Sequence, residues 1–216
     1  MTIPTQKTAL ILGATGLVGS LLTRQLVNST VYSNIKVLVR KSLTWQHPRL
    51  QEIPFEFDHP NGLLIKADDI FCCLGTTMKK AGSKDAFQTV DYKYPLDIAR
   101  LGLENGTQQF SIVTSMGADP ESSFFYNRVK GEVERDLDRL NYPTLLIYRP
   151  SLLVGNRGEN RLGERLAESA MRLFKPLIPA KYRGIDAAKV ATAMMTTAQQ
   201  GLTGRHIFES DVLQKF

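Results

Sequence analysis

Short apolar runs alternate along this chain with longer stretches in which apolar residues recur every three or four positions, the pattern of strands joined by covering helices. Thr8–Leu12 reads as a strand buried on both faces, and Leu17, Leu21, Leu22 and Leu26 then recur at helical spacing. Further strands are expected at Ile35–Val39, Ile53–Phe57, Asp69–Leu74, Phe110–Thr114 and Thr144–Tyr148, with a last short one at His206–Phe208. The periodicity predicts a helix from about Lys84 to Glu104, with Phe87, Val90, Tyr94 and Ile98 near one face and Pro95 as its expected kink. A charged helix is expected from about Ser122 to Leu140, and amphipathic ones over Asn160–Phe174 and Asp186–Gln199. Asp186 suits the N-cap of the last, and Gly201 follows its end. This order predicts an α/β, Rossmann-type doubly wound parallel sheet with helices on both faces and a small C-terminal elaboration. There is no repeat, low-complexity tract or dividing linker, so residues 8–216 are expected to form one domain after a flexible tail, residues 1–7.

The connection from the first strand to the first helix is Gly13-Ala14-Thr15-Gly16-Leu17-Val18-Gly19. Glycines there let the chain turn sharply and approach a ligand closely. They also leave backbone N–H groups at a helix N-terminus, where partial positive charge favours phosphate. A tight structural turn is the competing reading. The order strand, loop, helix instead matches the dinucleotide-binding fingerprint, with its glycines at G-x-x-G-x-x-G spacing.

Composition adds exclusions. At 216 residues, 43% hydrophobic and 22% charged, the chain has the make-up of an ordinary globular protein able to bury a full core. No apolar run approaches the roughly 20 residues needed to cross a bilayer, so no membrane partner is expected. Met1–Lys7 is polar and lacks the apolar centre of a signal peptide, from which a cytoplasmic location is expected. Cys72 and Cys73 are adjacent in an apolar run and point to opposite faces of a strand, which suits buried small side chains rather than a disulfide. His47, His59 and His206 have no ligand-spaced companions, so no metal site is expected. The net charge of +6 is spread among acidic residues, which speaks for an anionic cofactor and against nucleic acid.

Three further groups carry chemistry. In a dinucleotide-binding unit the end of the second strand faces the adenosine ribose, and here it carries Arg40-Lys41 rather than an acid. Two cations there favour a 2′-phosphate, hence NADP(H) over NAD(H), unless they are simply a solvated pair. Tyr126 and Lys130 are four apart on the charged helix, so hydroxyl and ammonium share a face. A nearby ammonium favours a phenolate, which suits a tyrosine to proton transfer. Ser115 ends the fifth strand, where an open α/β sheet binds its ligand, and can hold a carbonyl or alcohol oxygen; Thr114 is the alternative, and a local turn bond the structural reading.

Together these residues resemble the short-chain dehydrogenase/reductase superfamily in its extended or atypical branch. The likeness narrows at Phe71-Cys72-Cys73-Leu74-Gly75-Thr76-Thr77, Lys80-Ala81-Gly82 and Val90-Asp91. Ser115-Met116-Gly117-Ala118-Asp119, Tyr126 with Val129-Lys130-Gly131-Glu132-Val133-Glu134, and Arg149-Pro150 continue it. The set is similar to the Tat-interacting-protein oxidoreductase family and its small bacterial relatives. That resemblance implies NADP(H) with its pyrophosphate over Thr15, Gly16, Leu17 and Val18, in the loop framed by Gly13 and Gly19, and its 2′-phosphate at Arg40 and Lys41. It implies Leu74 and Gly75 at the adenosine side, Asp58 at the adenine edge, Leu153 at the nicotinamide end and Arg161 closing over the cofactor. Ser115, Tyr126 and Lys130 become the catalytic set. One departure stands out: Asp91 occupies the neighbourhood of the superfamily's common helix asparagine.

The expected function is NADPH-dependent hydride exchange with a small carbonyl or alcohol substrate. The alternative is an NADPH-binding regulatory or interaction protein. The apolar, basic segment Met171–Pro179 reads as a lid or as a partner surface, and a monomer or homodimer is expected. The C-terminal part is short for a sugar-nucleotide pocket, which implies a small substrate or a pocket completed by another subunit.

Overall fold

The computed structural model describes residues 6–155 and 179–216. β1 (Lys7–Leu12) lies between β2 (Tyr32–Val39) and β4 (Asp69–Cys72), with β3 (Leu50–Pro54) outside β2. β5 (Gln109–Val113), β6 (Thr144–Arg149) and β9 (Gly204–Glu209) continue the sheet beyond β4. The order is β3-β2-β1-β4-β5-β6-β9, and every neighbouring pair is parallel. β1 is followed in sequence by a strand on one side of it and later by β4 on the other, so a crevice opens between β1 and β4 at their C-terminal ends. The expected Rossmann-type fold is therefore the observed one.

Side-chain alternation divides the core. Ala9, Ile11, Val37 and Leu146 face α1 (Leu17–Leu26) and α6 (Ala187–Ala198). Leu10, Leu12, Ile112 and Ile147 face the opposite layer, α4 (Tyr94–Glu104) and α5 (Phe125–Asp138). Strands covered on both faces need apolar residues at every position, which is why they read as unbroken runs. At the far end of the sheet from the crevice, buried Asp69 accepts the Tyr32 hydroxyl at 2.5 Å and pairs with Lys7 at 3.1 Å. Burial pushes both the Asp69 carboxyl and the Tyr32 phenol above their ordinary ranges.

Several elements differ from the periodicity. The third strand is Leu50–Pro54, not Ile53–Phe57. Phe55 still donates its N–H to Val39, but the chain then leaves the ladder, and Phe55 and Phe57 pack edge to face beneath the sheet, ring centroids 5.0 Å apart. Burial of irregular chain imitated strand alternation. The long helix is broken not by a kink at Pro95 but by a wide π-turn, Thr89–Lys93, between α3 (Lys84–Gln88) and α4. Pro95 has no N–H to offer the carbonyl one turn back, and the wider turn precedes it. The short helices α2 (Met78–Ala81) and α7 (Ser210–Leu213), and the pair β7 (Leu153–Val154) with β8 (Ile185–Asp186), carry too few residues to show a period. Asp186 caps α6 as expected, accepting the Ala188 N–H at 2.8 Å. The Asn160–Phe174 helix and all of Met171–Pro179 except Pro179 lie outside the described residues.

Gly13 has φ +80°, and a Cβ there would come within 2.6 Å of the Cys73 carbonyl oxygen. Gly19, in the first turns of α1, packs so closely on the Gly13 carbonyl that a Cβ would overlap it. Strand, loop and helix thus touch backbone to backbone. Gly19→Ala should lower the free energy of unfolding by about 2–3 kcal/mol, because neither backbone can yield cheaply. Urea denaturation checks this, and an unchanged midpoint would refute the close contact.

Candidate functional site

A cleft of about 650 Å³ occupies the crevice at the C-terminal ends of β1, β4, β5 and β6, a size usual for small-molecule and cofactor sites. Its walls come from four separate connections. Thr15, Gly16, Leu17 and Val18 line one wall, and Leu74, Gly75 and Thr76 the next. Ser115, Tyr126 and Lys130 line another, and Ser151 to Leu153 close the side beyond β6.

The α1 end of the cleft is uncapped. Gly16 offers no side chain to the first-turn N–H groups, and no acidic residue occupies that turn. These donors and the positive end of the helix dipole therefore lie beside an open cleft.

The opposite wall is held rigidly. Beyond β5 and β6 the backbones keep bonding, Thr114 N–H to the Tyr148 carbonyl and Met116 N–H to the Pro150 carbonyl. Ser115 sits between these two bonds. Among the described residues its buried hydroxyl has no hydrogen-bond partner. Thr114 is instead committed inward, donating to Glu134 at 2.6 Å. Glu134, on α5, also accepts Arg149 Nε at 3.1 Å, and Arg149 reaches Glu209 at 3.0 Å. This buried network joins β5, α5, β6 and β9 directly behind Ser115. The hydrogen bonds that Arg149 donates to Glu134 and Glu209 raise its pKa, with burial opposing them.

Tyr126 is partly exposed, its ring against Phe87 at 5.5 Å between centroids. Lys130 is only 5% exposed. Its ammonium lies 2.7 Å from Asp91, which the π-turn carries to 1% exposure. The other Asp91 oxygen accepts the Thr76 N–H at 2.9 Å. Burial by itself would lower the Lys130 pKa, but the Asp91 and Tyr126 charges outweigh it and hold the pKa above the usual lysine range.

The cleft thus gathers Thr15, Gly16, Leu17, Val18, Leu74, Gly75, Leu153, Ser115, Tyr126 and Lys130. Gly13 and Gly19 lie behind the loop and shape it rather than line it. Arg40 and Lys41 stand exposed just after β2, outside the cleft lining. Asp58, also outside it, accepts the Tyr94 hydroxyl at 2.7 Å. Arg161 lies outside the described residues. The Asp91–Lys130 pair and the Glu134–Arg149 network escaped the sequence reading. Asp91 was visible there as an oddly placed acid, but its partner is 39 positions away in the chain.

The strand order, the glycine loop at the crevice and the convergence of Ser115, Tyr126 and Lys130 define a member of the short-chain dehydrogenase/reductase superfamily, of the atypical kind. No family model matches the chain. It is 34% identical over 194 residues to protein HTATIP2 of Rattus norvegicus, covering 87% of this chain and 78% of that protein. It is 32% identical over 203 residues to the mitochondrial protein FMP52 of Candida albicans, covering 90% and 89%. The chain belongs to the family of HTATIP2 and FMP52, the Tat-interacting-protein group. Among solved structures, MoeE5 in complex with UDP-glucuronic acid and NAD shares the fold, with a TM-score of 0.75 at 16% identity over 94% of this chain and 76% of that one.

The relatives correct one expectation. Cytoplasmic location was inferred from the polar Met1–Lys7, yet the fungal relatives, 31–33% identical, are named mitochondrial. A missing apolar centre does not speak against a mitochondrial location, because mitochondrial transit segments are amphipathic.

Glu134→Gln removes the charge that Arg149 pairs with and that Thr114 donates to. It should destabilise the protein by about 2–3 kcal/mol, somewhat less than for a fully buried pair because Glu209 still meets Arg149. Chemical denaturation checks this; a loss under about 0.5 kcal/mol, the scale of an ordinary surface change, would contradict it.

Proposed function

We propose that this protein is an NADPH-dependent oxidoreductase of the short-chain dehydrogenase type, exchanging a hydride with a small carbonyl or alcohol substrate. The observation that carries this reading is the Ser115 hydroxyl, buried without a partner among the described residues in the cleft wall shared with Tyr126 and Lys130. A buried hydroxyl left unbonded costs free energy unless a ligand oxygen completes it.

The residues present fit a nicotinamide dinucleotide. The uncapped start of α1 suits a pyrophosphate, with the N–H groups of the Thr15–Val18 loop as donors and no capping side chain among the described residues. Arg40 and Lys41 follow β2, where a guanidinium fork would grip a 2′-phosphate. Asp58, oriented by Tyr94, would accept from the adenine edge. Leu74 and Gly75 border the adenosine side, and Leu153 the nicotinamide end. Bound there, the dinucleotide supplies the hydride carrier.

The rest is work for the chain itself. Ser115 holds the substrate oxygen, which the β5–β6 backbone bonds on either side keep in place. Tyr126 gives its hydroxyl proton to that oxygen during reduction and takes it back during oxidation. Lys130 bonds the ribose and, as a nearby cation, stabilises the phenolate that remains. The commitment of Thr114 to Glu134 leaves Ser115 as the hydroxyl available for this task.

Tyr126→Phe should reduce carbonyl turnover with NADPH by at least about a hundredfold while leaving NADPH binding intact. Undiminished turnover would overturn the assignment. NADPH binding with no carbonyl turned over by the unaltered protein would favour the regulatory alternative. Arg40→Glu should narrow or reverse the preference for NADPH over NADH, by about tenfold or more. Thermal stabilisation at matched cofactor concentrations reads this; equal stabilisation of the unaltered protein by both cofactors would refute it.

A further inference from the structure

Lys130 does not stand in the cleft as a bare cation. Asp91 meets it at 2.7 Å, both side chains are buried, and Asp91 is tied through its second oxygen to the Thr76 amide. The π-turn makes this possible. Its extra residue shifts the helix register by about 100° relative to a continuous α-helix, and Asp91 lies within that turn. A neutral asparagine would keep the hydrogen bond to Thr76 but leave the ammonium uncompensated. The carboxylate makes the pair neutral overall.

That difference matters to a ligand whose own charge changes. The oxidised nicotinamide ring carries a positive charge and the reduced ring does not. A bare ammonium beside the ring would repel the oxidised form; a neutral pair tolerates both.

Resting on the functional reading above, we propose that Asp91 is a positioning residue that sets the balance between oxidised and reduced dinucleotide in the cleft. It clamps Lys130 from one side and the Gly75–Thr76 turn from the other, so that at the distance of the nicotinamide ring the two charges largely offset each other, while the ammonium still couples to Tyr126. Among the described residues the groups facing Lys130 are Asp91 from the π-turn, Tyr126 from its own helix and Cys72 from β4, and Lys80 lines the same cleft. Burial pushes the Cys72 thiol up to about 12, so it is uncharged near neutrality. Asp91 is therefore the charge that compensates Lys130.

The test measures dissociation constants for NADP⁺ and NADPH, with no substrate present, in four proteins. Relative to the unaltered chain at about pH 6.5, far below the ordinary lysine range, Asp91→Asn should shift the ratio about fivefold to tenfold toward NADPH. Lys130→Met, which leaves the carboxylate, should shift it toward NADP⁺ at about pH 8, far above the ordinary carboxylate range. The double variant lacks both charges and should return to within about twofold of the unaltered ratio. Raising the pH should erase the Asp91→Asn effect, since burial lowers the lysine pKa once its partner is gone. In the unaltered protein the pKa is raised, so Lys130 stays charged and the ratio stays flat over the same range. A purely structural role for Asp91 would weaken both forms equally, and that result overturns the proposal. If Asp91→Asn does not fold, the Lys130→Met comparison decides, and an unchanged ratio there overturns the proposal as well. If the unaltered chain binds neither form, it is the functional reading that fails.

Discussion

The cleft depends on a backbone approach with no room for a side chain. Gly13 rests against the Cys73 carbonyl, and Gly19 rests against Gly13. These contacts bring the ends of β1 and β4 and the start of α1 together at the point where the sheet reverses its winding. Side chains at either glycine would separate helix from strand, and the uncapped N–H groups of α1 would no longer border the cleft. Every other part of the site is placed relative to this junction, because β5 and β6 are built outward from β4 in parallel register.

On the other side of the cleft, position is held by buried charge. Asp91 with Lys130, and Glu134 with Arg149, take ionised groups out of water on either side of Ser115 and Tyr126. Such pairs add little net stability, because the desolvation penalty offsets most of their attraction. What they supply is direction. Glu134 engages the Thr114 hydroxyl and leaves that of Ser115, in the same cleft wall, without a hydrogen-bond partner among the described residues. Asp91 links the turn after β4 to the helix that carries Tyr126.

Much of this was legible in the residue order. Strands buried on both faces announced themselves as apolar runs, and the glycine spacing marked the loop. The four-residue interval between Tyr126 and Lys130 placed both on the same face of α5. Where local pattern misled, a longer-range contact was responsible. Phe55 and Phe57 alternate like strand residues because they pack under the sheet, although the chain leaves the ladder after the Phe55 N–H bond to Val39. Pro95 suggested a kink, while the break came one turn earlier as a π-turn. The choice between Thr114 and Ser115 depended on Glu134, twenty residues beyond Thr114 on a different element.

The sequence by itself determined the α/β class, the parallel sheet implied by alternating helices, the glycine loop after the first strand and the identity of the polar groups that the cleft gathers. Those features follow from local rules: side-chain period, glycine freedom and helix spacing act within a few residues. Only the tertiary structure decided that Lys130 is charge-compensated, that Ser115 rather than Thr114 is free, and that Arg40 and Asp58 stand apart from the main cleft. These depend on burial and on partners brought from distant positions. Desolvation and Coulomb attraction respond to proximity in space, which the order of residues along a chain does not specify.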